Sequence, residues 1–503
     1  FKNKDHSLNI NFKNIYLSIK NSPNILKIYL LLIVIASIGP INHPDASDYH
    51  VGAAYQNFIN GYSFNKDFLT LGITGIGDWI NILFLYEKNT WLIRPLNALI
   101  FIPLVFYLYE NKINLWMIFL FLSMPVIIQW ISIGKPIFIV EACLGILTIH
   151  FYNKPSKSYL IRIIYASLFS IAFKLTSAIT VMIIILAKII SFKKIKFVFN
   201  NINSLDLLKV FFVLLLSANV FYLRYTWFDN PFFPFLDNFF NIISENRVNF
   251  LNSIMSYNKL VWYWPIRVFI PLSTSEIGMV AGPVSLIVFL CITFLIFQQT
   301  KKFKFKDINL LFLGWLLFLF ILLFSQPRAD YFVFPFILFI FSSKFIKFQS
   351  VNLYFFKTLK FLIFSQLIVT TLILIISIYQ TILTIQNYEK AMNNYAYGYE
   401  ISKVATKLKE PVLINNIRQT RLYFNMQYVD RDKYTNCTFS NDKLTCIDKL
   451  NINSIIVGKS FINNTKINEK KNWDCKLNKT VNLGRRNFLS SKKKIFINLC
   501  ERR

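Results

Sequence analysis

Apolar residues fall along this chain in long unbroken runs rather than in alternation. Runs of about 15–22 residues recur between short polar connections, which is the pattern of membrane-spanning helices. The predicted spans are 24–41, 91–109, 113–133, 137–152, 159–173, 175–190, 207–223, 282–298, 309–324, 331–346 and 358–382. The expected fold is an α-helical polytopic membrane protein with about eleven transmembrane helices. No cleavage pattern precedes the first run, which reads as a retained span.

Three connections on one side are long: 42–90, 224–281 and 383–503. The first two hold semi-apolar pieces, Trp79–Leu85 and Val261–Ile270, that read as interfacial helices. The third loses its long apolar runs from about Tyr395. There "PVLINN" and "INSIIVG" read as short buried strands, with "EISKVATKLKE" as a helix before them. The expected division is an N-terminal segment, 1–23, a transmembrane part, 24–382, and a small α/β domain, 383–503.

Composition agrees with a membrane protein: 503 residues, 55% hydrophobic, mean hydropathy +0.46 and net charge +30. The charge has a topological reading. Lys2, Lys4, Lys13 and Lys20 precede the first span, and Lys154, Lys157, Lys193, Lys194, Lys196, Lys301, Lys302, Lys304, Lys306, Lys344 and Lys347 fall in every second connection. The positive-inside rule then places the N-terminus in the cytoplasm. With an odd span count the C-terminal domain lies outside, which is the periplasm for a bacterial inner membrane. No compact basic domain points to nucleic acid.

Cysteine usage fits that placement. Cys143 and Cys291 lie in predicted spans, whereas Cys437, Cys446, Cys475 and Cys500 all lie in the tail. Four cysteines in a small extracytoplasmic domain suggest two disulfides, with three pairings open and Cys437–Cys446 closing a short loop in one of them. Zinc is the rival reading, and neither a CxxC pair nor a tail histidine supports it.

The stretch "NHPDASDYH", Asn42 to His50, follows the first span directly. An ionised carboxylate at that edge needs water, a partner or a metal ion, so Asp45 and Asp48 are candidates for chemistry beside Tyr49 and His50. Single charges mark other turns on the same side. They are Lys135 in "SIGKPIF", Lys174 in "AFKLTSA", Arg224 and Asp229 in "FYLRYTWFDNPFFPF", and Arg328 and Asp330 in "FSQPRADYFVFP". Any one of them can mark a helix end by snorkelling. Their recurrence opposite an acidic cluster predicts a shared pocket, with carboxylates for base chemistry or metal and cations for phosphate.

These motifs, in this order, resemble the GT-C superfamily of polyprenyl-phosphate-dependent glycosyltransferases, which includes protein O-mannosyltransferases and lipid A aminoarabinose transferases. "DASDYH" resembles the superfamily's first-loop acidic motif, with Asp45 as its Asp, Tyr49 as its Tyr and His50 following. "AFKLTSA" resembles a helix–Lys–helix break around Lys174. "DNPFFPF" is similar to a Gly-Asn-Pro-x-x-Pro element through Asn230, Pro231 and Pro234. "QPRADYFVFP" resembles an Arg-Tyr-x-x-Pro turn, with two residues between Arg328 and Tyr331. The likeness covers about residues 24–380. It departs from the pattern in two places: the second acid stands at Asp48 rather than next to Asp45, and Ile137 takes the place of an expected Asp after the Lys135–Pro136 turn. Asp67 or Asp78 can replace the missing acid from the same loop.

The resemblance implies transfer of a sugar from a polyprenyl-phosphate donor in the membrane lipid to a glycan, lipid or protein acceptor, with inversion. It implies Asp45 as base or as ligand to a divalent cation such as Mg or Mn, Asp48 and His50 as its helpers, and Asp78 as a second metal ligand. Tyr49, Lys135, Lys174, Arg224, Arg328 and Tyr331 would bind the donor. Two other classes compete. A lipid-linked glycan flippase or other transporter would bury charge at the midplane, and Arg94 and Glu141 are the charges to weigh there. An O-antigen-type polymerase or ligase would carry Arg- and His-rich outer loops.

Overall fold

The computed structural model describes residues 12–59, 69–85, 91, 93–131, 133, 135, 159–175, 177–191, 204–242, 244–255, 264–299, 305–324, 328–415, 420–429, 431–458, 467, 472–484 and 494–503. The predicted span 137–152 with Glu141 and Cys143, and also Asp67, lie outside these residues. The other apolar runs are helical. Asn24–Ser37, Ile93–Glu110, Tyr159–Phe173, Ser177–Ser191, Pro283–Gln299 and Phe305–Phe324 lie within a few residues of their predicted limits.

Three spans differ from the prediction, each for a local reason. The run 113–133 is two helices, Leu115–Leu122 and Pro125–Ile131, because Pro125 brings no N–H to continue the ladder. The Gln366 amide covers the break by donating to the Ser123 carbonyl, 3.2 Å, and the Ser123 hydroxyl, 3.0 Å. The last span is longer than expected, Leu353–Gln386. At 34 residues it is about 51 Å long, more than a bilayer core requires. Asn352 caps its start, and Asn387 ends it and caps the next helix, Tyr388–Tyr395. The seventh run extends to Ser204–Phe228, so Arg224 lies in a helix rather than at the head of a loop.

Among the described residues, Ile93–Glu110, Leu207–Phe228, Glu276–Gln299 and Leu353–Gln386 are each long and apolar enough to cross a membrane. One apolar core joins most of the bundle. At its centre Phe289 and Trp315 pack on Phe339, with Phe336 stacked on Phe289, and Gly314 leaves room for the Phe339 ring, which a Cβ would meet at 2.9 Å. Ser204–Phe228 instead exposes Leu207, Leu208, Phe211, Phe212 and Leu215, a surface that suits lipid and not water. The protein is thus a membrane protein built on a helical bundle.

After the bundle the chain forms a five-stranded mixed sheet of order β2-β1-β3-β5-β4. The strands are β1 Val412–Ile414, β2 Tyr428–Val429, β3 Ser454–Val457, β4 Trp473–Asn482 and β5 Lys494–Arg502. The two strands expected from sequence are β1 and β3, and they pair in parallel. The expected helix before them is Tyr399–Ala405. The antiparallel pair of β4 and β5 was not expected, because Asn and Lys interrupt the apolar alternation in "WDCKLNKTVN". Two disulfides form, Cys437–Cys446 and Cys475–Cys500, the second between residues directly opposite in the β4–β5 ladder. Cys291 lies half-buried in its helix and is unpaired.

Candidate active site

Residues 42–50 do not continue the first bundle helix. That helix ends at Ser37, and Arg94 closes it by donating to the Ala36 carbonyl at 3.3 Å and the Pro40 carbonyl at 2.9 Å. Gly39, at φ +150°, leaves space for this guanidinium, which a Cβ would meet at 2.9 Å. The charge weighed as a midplane transport residue is therefore a helix cap. The chain then winds into a π-helical turn, Ala46–His50, a form that recurs at functional sites. The helix Gly52–Ile59 follows, in place of an open loop.

That turn and its flanks bring distant residues together. Asp45 Oδ2 accepts from Lys135 Nζ at 2.6 Å, and both side chains are largely buried. Asn97 fixes the Lys135 backbone, donating to its carbonyl at 3.2 Å. Lys135 lies over the Trp130 ring, 4.6 Å from its centre, and Arg328 lies 5.7 Å from the same ring. Arg328 donates to Asp330 at 3.1 Å and sits 5.8 Å from the Tyr331 ring, with Lys174 at 6.0 Å from that ring. One indole and one phenol are thus ringed by three cations from three separate turns.

His50 forms the other wall. Its Nδ1 lies 2.5 Å from Asp78 Oδ1, and Asp78 Oδ2 accepts from Gly75 N at 2.8 Å. A carboxylate can only accept, so Nδ1 carries the proton and Nε2 is the ring's acceptor. The Tyr49 ring lies 4.3 Å from the His50 ring. The segment bearing Asp78 reaches the site because Gly75 rests on the end of Tyr159–Phe173, where a Cβ would meet the Phe173 carbonyl at 2.3 Å. Lys174 ends that helix, and the Ser177 hydroxyl donates to the Ser170 and Lys174 carbonyls at 2.7 Å.

Burial sets the protonation of these groups. It pushes the Lys135 ammonium down to about 8, against the pull of Asp45. It pushes the His50 imidazole down as well, against Asp78 and with help from Lys135 and Lys174. It also works against the charge on Arg328, but there Asp330, Tyr331, Asp45 and Tyr49 outweigh it and the guanidinium is held charged.

Two expected site residues point elsewhere. Asp48 lies on the far side of the turn and pairs with Arg421, from the segment after β1. Arg224, expected among the donor-binding cations, is buried and straps the segment before Asp78, donating to the Gly72 carbonyl at 3.1 Å and the Thr74 carbonyl at 2.6 Å. The "DNPFFPF" element also supports this segment. Asn230 folds it by hydrogen bonds to Phe235 and Asp237, and Phe233 packs over Gly72. For a metal ion, no three His, Cys, Asp or Glu side chains cluster among the described residues. Asp45 and Asp78, the two candidates, face Lys135 and His50 respectively.

Sequence reasoning missed Trp130, Asn97 and Arg421. Trp130 ends an apolar run, where an indole reads as an interfacial anchor. Arg421 carries no local signal at all.

No family model matches the chain, and no curated protein matches it. Among solved structures, the crystal structure of ArnT from Cupriavidus metallidurans bound to undecaprenyl phosphate is similar to it. The TM-score is 0.57 at 10% identity, covering 94% of this chain and 97% of that one. At that identity the likeness speaks for the fold alone: the chain shares the overall architecture of that structure.

Proposed function

We propose that the chain is a membrane glycosyltransferase that moves a sugar from a polyprenyl-phosphate donor to an acceptor hydroxyl at the outer face of the membrane, with inversion. One observation carries this reading. Asp45, Lys135, Lys174, Arg328 and the His50–Asp78 pair, scattered over nearly 300 residues of sequence, gather at one end of the bundle. The fold shared with an undecaprenyl-phosphate-bound protein supports the donor class.

The donor's lipid lies in the bilayer, and its phosphate arrives where the cations stand. Arg328 and Lys174 hold it, as charge-assisted donors do. Lys135 shifts from Asp45 toward the phosphate, which frees the Asp45 carboxylate as the base. Asp45 takes the acceptor's hydroxyl proton while the acceptor oxygen bonds to the anomeric carbon. The bond from that carbon to the phosphate oxygen breaks, and polyprenyl phosphate leaves against the cations. Tyr49, Tyr331 and Trp130 wall the sugar. His50, kept neutral with Nε2 as acceptor, orients a sugar or acceptor hydroxyl. Asp78 fixes its tautomer. Both carboxylates proposed for a divalent cation are engaged by protein partners, and every step above uses side chains alone.

The test is turnover of a panel of polyprenyl-phosphate sugars to polyprenyl phosphate in lipid nanodiscs. Wild type should consume at least one donor, and Asp45→Asn should lose about 100- to 10,000-fold in rate while remaining folded, the range for removing a general base. Full activity of Asp45→Asn would remove the base assignment. No consumption of any donor by wild type would remove the enzyme reading.

A further inference from the structure

Asp48, Tyr49 and His50 are consecutive, and side chains one or two apart on a helical turn cannot face the same way. The two ends of this triplet are held by opposite partners. His50 is tied to Asp78 inside the bundle part, whereas Asp48 is tied to Arg421, a residue of the C-terminal unit 373 positions away. Both members of the second pair are buried, with side chains 1% and 3% exposed, so the pair forms with water excluded.

The rest of the Arg421 segment is docked on the same turn. Gln56 donates to the Arg421 carbonyl at 2.7 Å and to the Phe424 carbonyl at 3.0 Å. Tyr423 donates to the Ile41 carbonyl at 3.2 Å, just before the turn. Leu422 and Tyr423 share an apolar cluster with Ile41, Ala46, Val51 and Tyr55. Gly52 permits this approach, since a Cβ there would meet the Leu422 nitrogen at 2.8 Å. A π turn is a rare form that recurs at functional sites, and this contact packs directly against it.

We propose that Arg421 is a positioning residue of the active site. By binding Asp48 from behind, the C-terminal unit holds the π turn so that His50 and Asp45 face the bundle side, and the membrane part alone does not complete the site. Asp48 is then an anchor rather than a group that touches substrate. This rests on the proposed function for its consequence in turnover, but not for the geometry it asserts.

The full-length protein in nanodiscs separates the two. His50 modification by diethylpyrocarbonate is followed by mass spectrometry, and donor turnover is measured per folded molecule. Wild type should protect His50. Arg421→Ala should make His50 reactive and lower turnover about 100-fold, the usual consequence of misplacing a catalytic group by about 1 Å. The double variant Asp48→Asn with Arg421→Gln replaces the ion pair by two amides and should restore protection, with turnover within about tenfold of wild type. A protected His50 in Arg421→Ala, an unchanged turnover there, or a double variant that stays inactive would each overturn the proposal. If Arg421→Ala does not fold, Arg421→Lys is read in the same way, since it keeps the charge but loses the fork. Should wild type consume no donor, the proposed function falls, and the labelling contrast alone judges Arg421.

Discussion

The helical core and the loop layer at one of its ends bury very different groups. In the core, Phe289 stacks on Phe336 and packs at a tilt against Phe339, and buried polar groups such as Thr381 find nearby backbone carbonyls, Ile35 at 2.8 Å and Ile38 at 2.7 Å. In the loop layer, Asp45 with Lys135, Asp48 with Arg421, His50 with Asp78, and Arg328 with Asp330 are all partly or wholly buried as pairs. Buried pairs seldom stabilise a fold more than apolar residues of the same size would. Stability is therefore the work of the core, and under the proposed function the loop layer keeps its charges for a substrate.

That contrast can be broken from either side. The largest effects should separate cleanly. Asp45→Asn abolishes most turnover and costs less thermal stability than a core truncation, because Asn still accepts from Lys135 and the Lys135 ammonium, already pushed down to about 8, can release its proton. Phe336→Ala should cost about 3–5 kcal/mol of stability, the range for emptying an aromatic site, with turnover per folded molecule little changed. Melting curves and initial rates on the same preparations would show it, and a loss of activity in step with stability in both variants would erase the distinction.

Next in size is the tail. Replacing Cys475 and Cys500 by Ser should lower the stability of the sheet by about 2–4 kcal/mol, the usual range for a native bridge. Denaturant unfolding followed by Trp473 fluorescence, against a bundle probe, would register it. A smaller effect is expected at Lys174, where Ala should weaken donor binding by roughly tenfold, about the worth of one charge-assisted hydrogen bond. Unchanged donor titration would take Lys174 out of the phosphate site.

The pH profile sharpens the comparison further. Lys135 titrates at about 8 in the fold, against 10.5 when free. Between these values the unfolded chain holds a proton that the folded chain has lost, so this group's contribution to stability rises with pH across that window. Donor binding needs the ammonium and should run the other way, falling above about pH 8. Lys135→Arg should push that fall to higher pH, because a guanidinium stays charged. Coincident rise or fall of both curves would dissociate Lys135 from the donor.

The sequence by itself determined the helices and singled out many of the charges that the fold gathers at one end of the bundle. A run such as "VFPFILFIFS" has one favourable outcome in lipid, since its backbone must satisfy its own hydrogen bonds, and so the apolar runs were legible as helices to within a few residues. Charges such as Lys135 and Arg328 stood out because they interrupt apolar surroundings. Only the tertiary structure decided what each charge faces. Asp45 and Asp48 are three residues apart and read alike, yet one meets Lys135 and the other Arg421. Arg224 and Arg328 read alike too, yet one straps the Gly72 and Thr74 carbonyls while the other stands over Trp130. Those choices depend on which distant segments the packed bundle brings within about 3–4 Å, where an ion pair forms, and local periodicity holds no record of that.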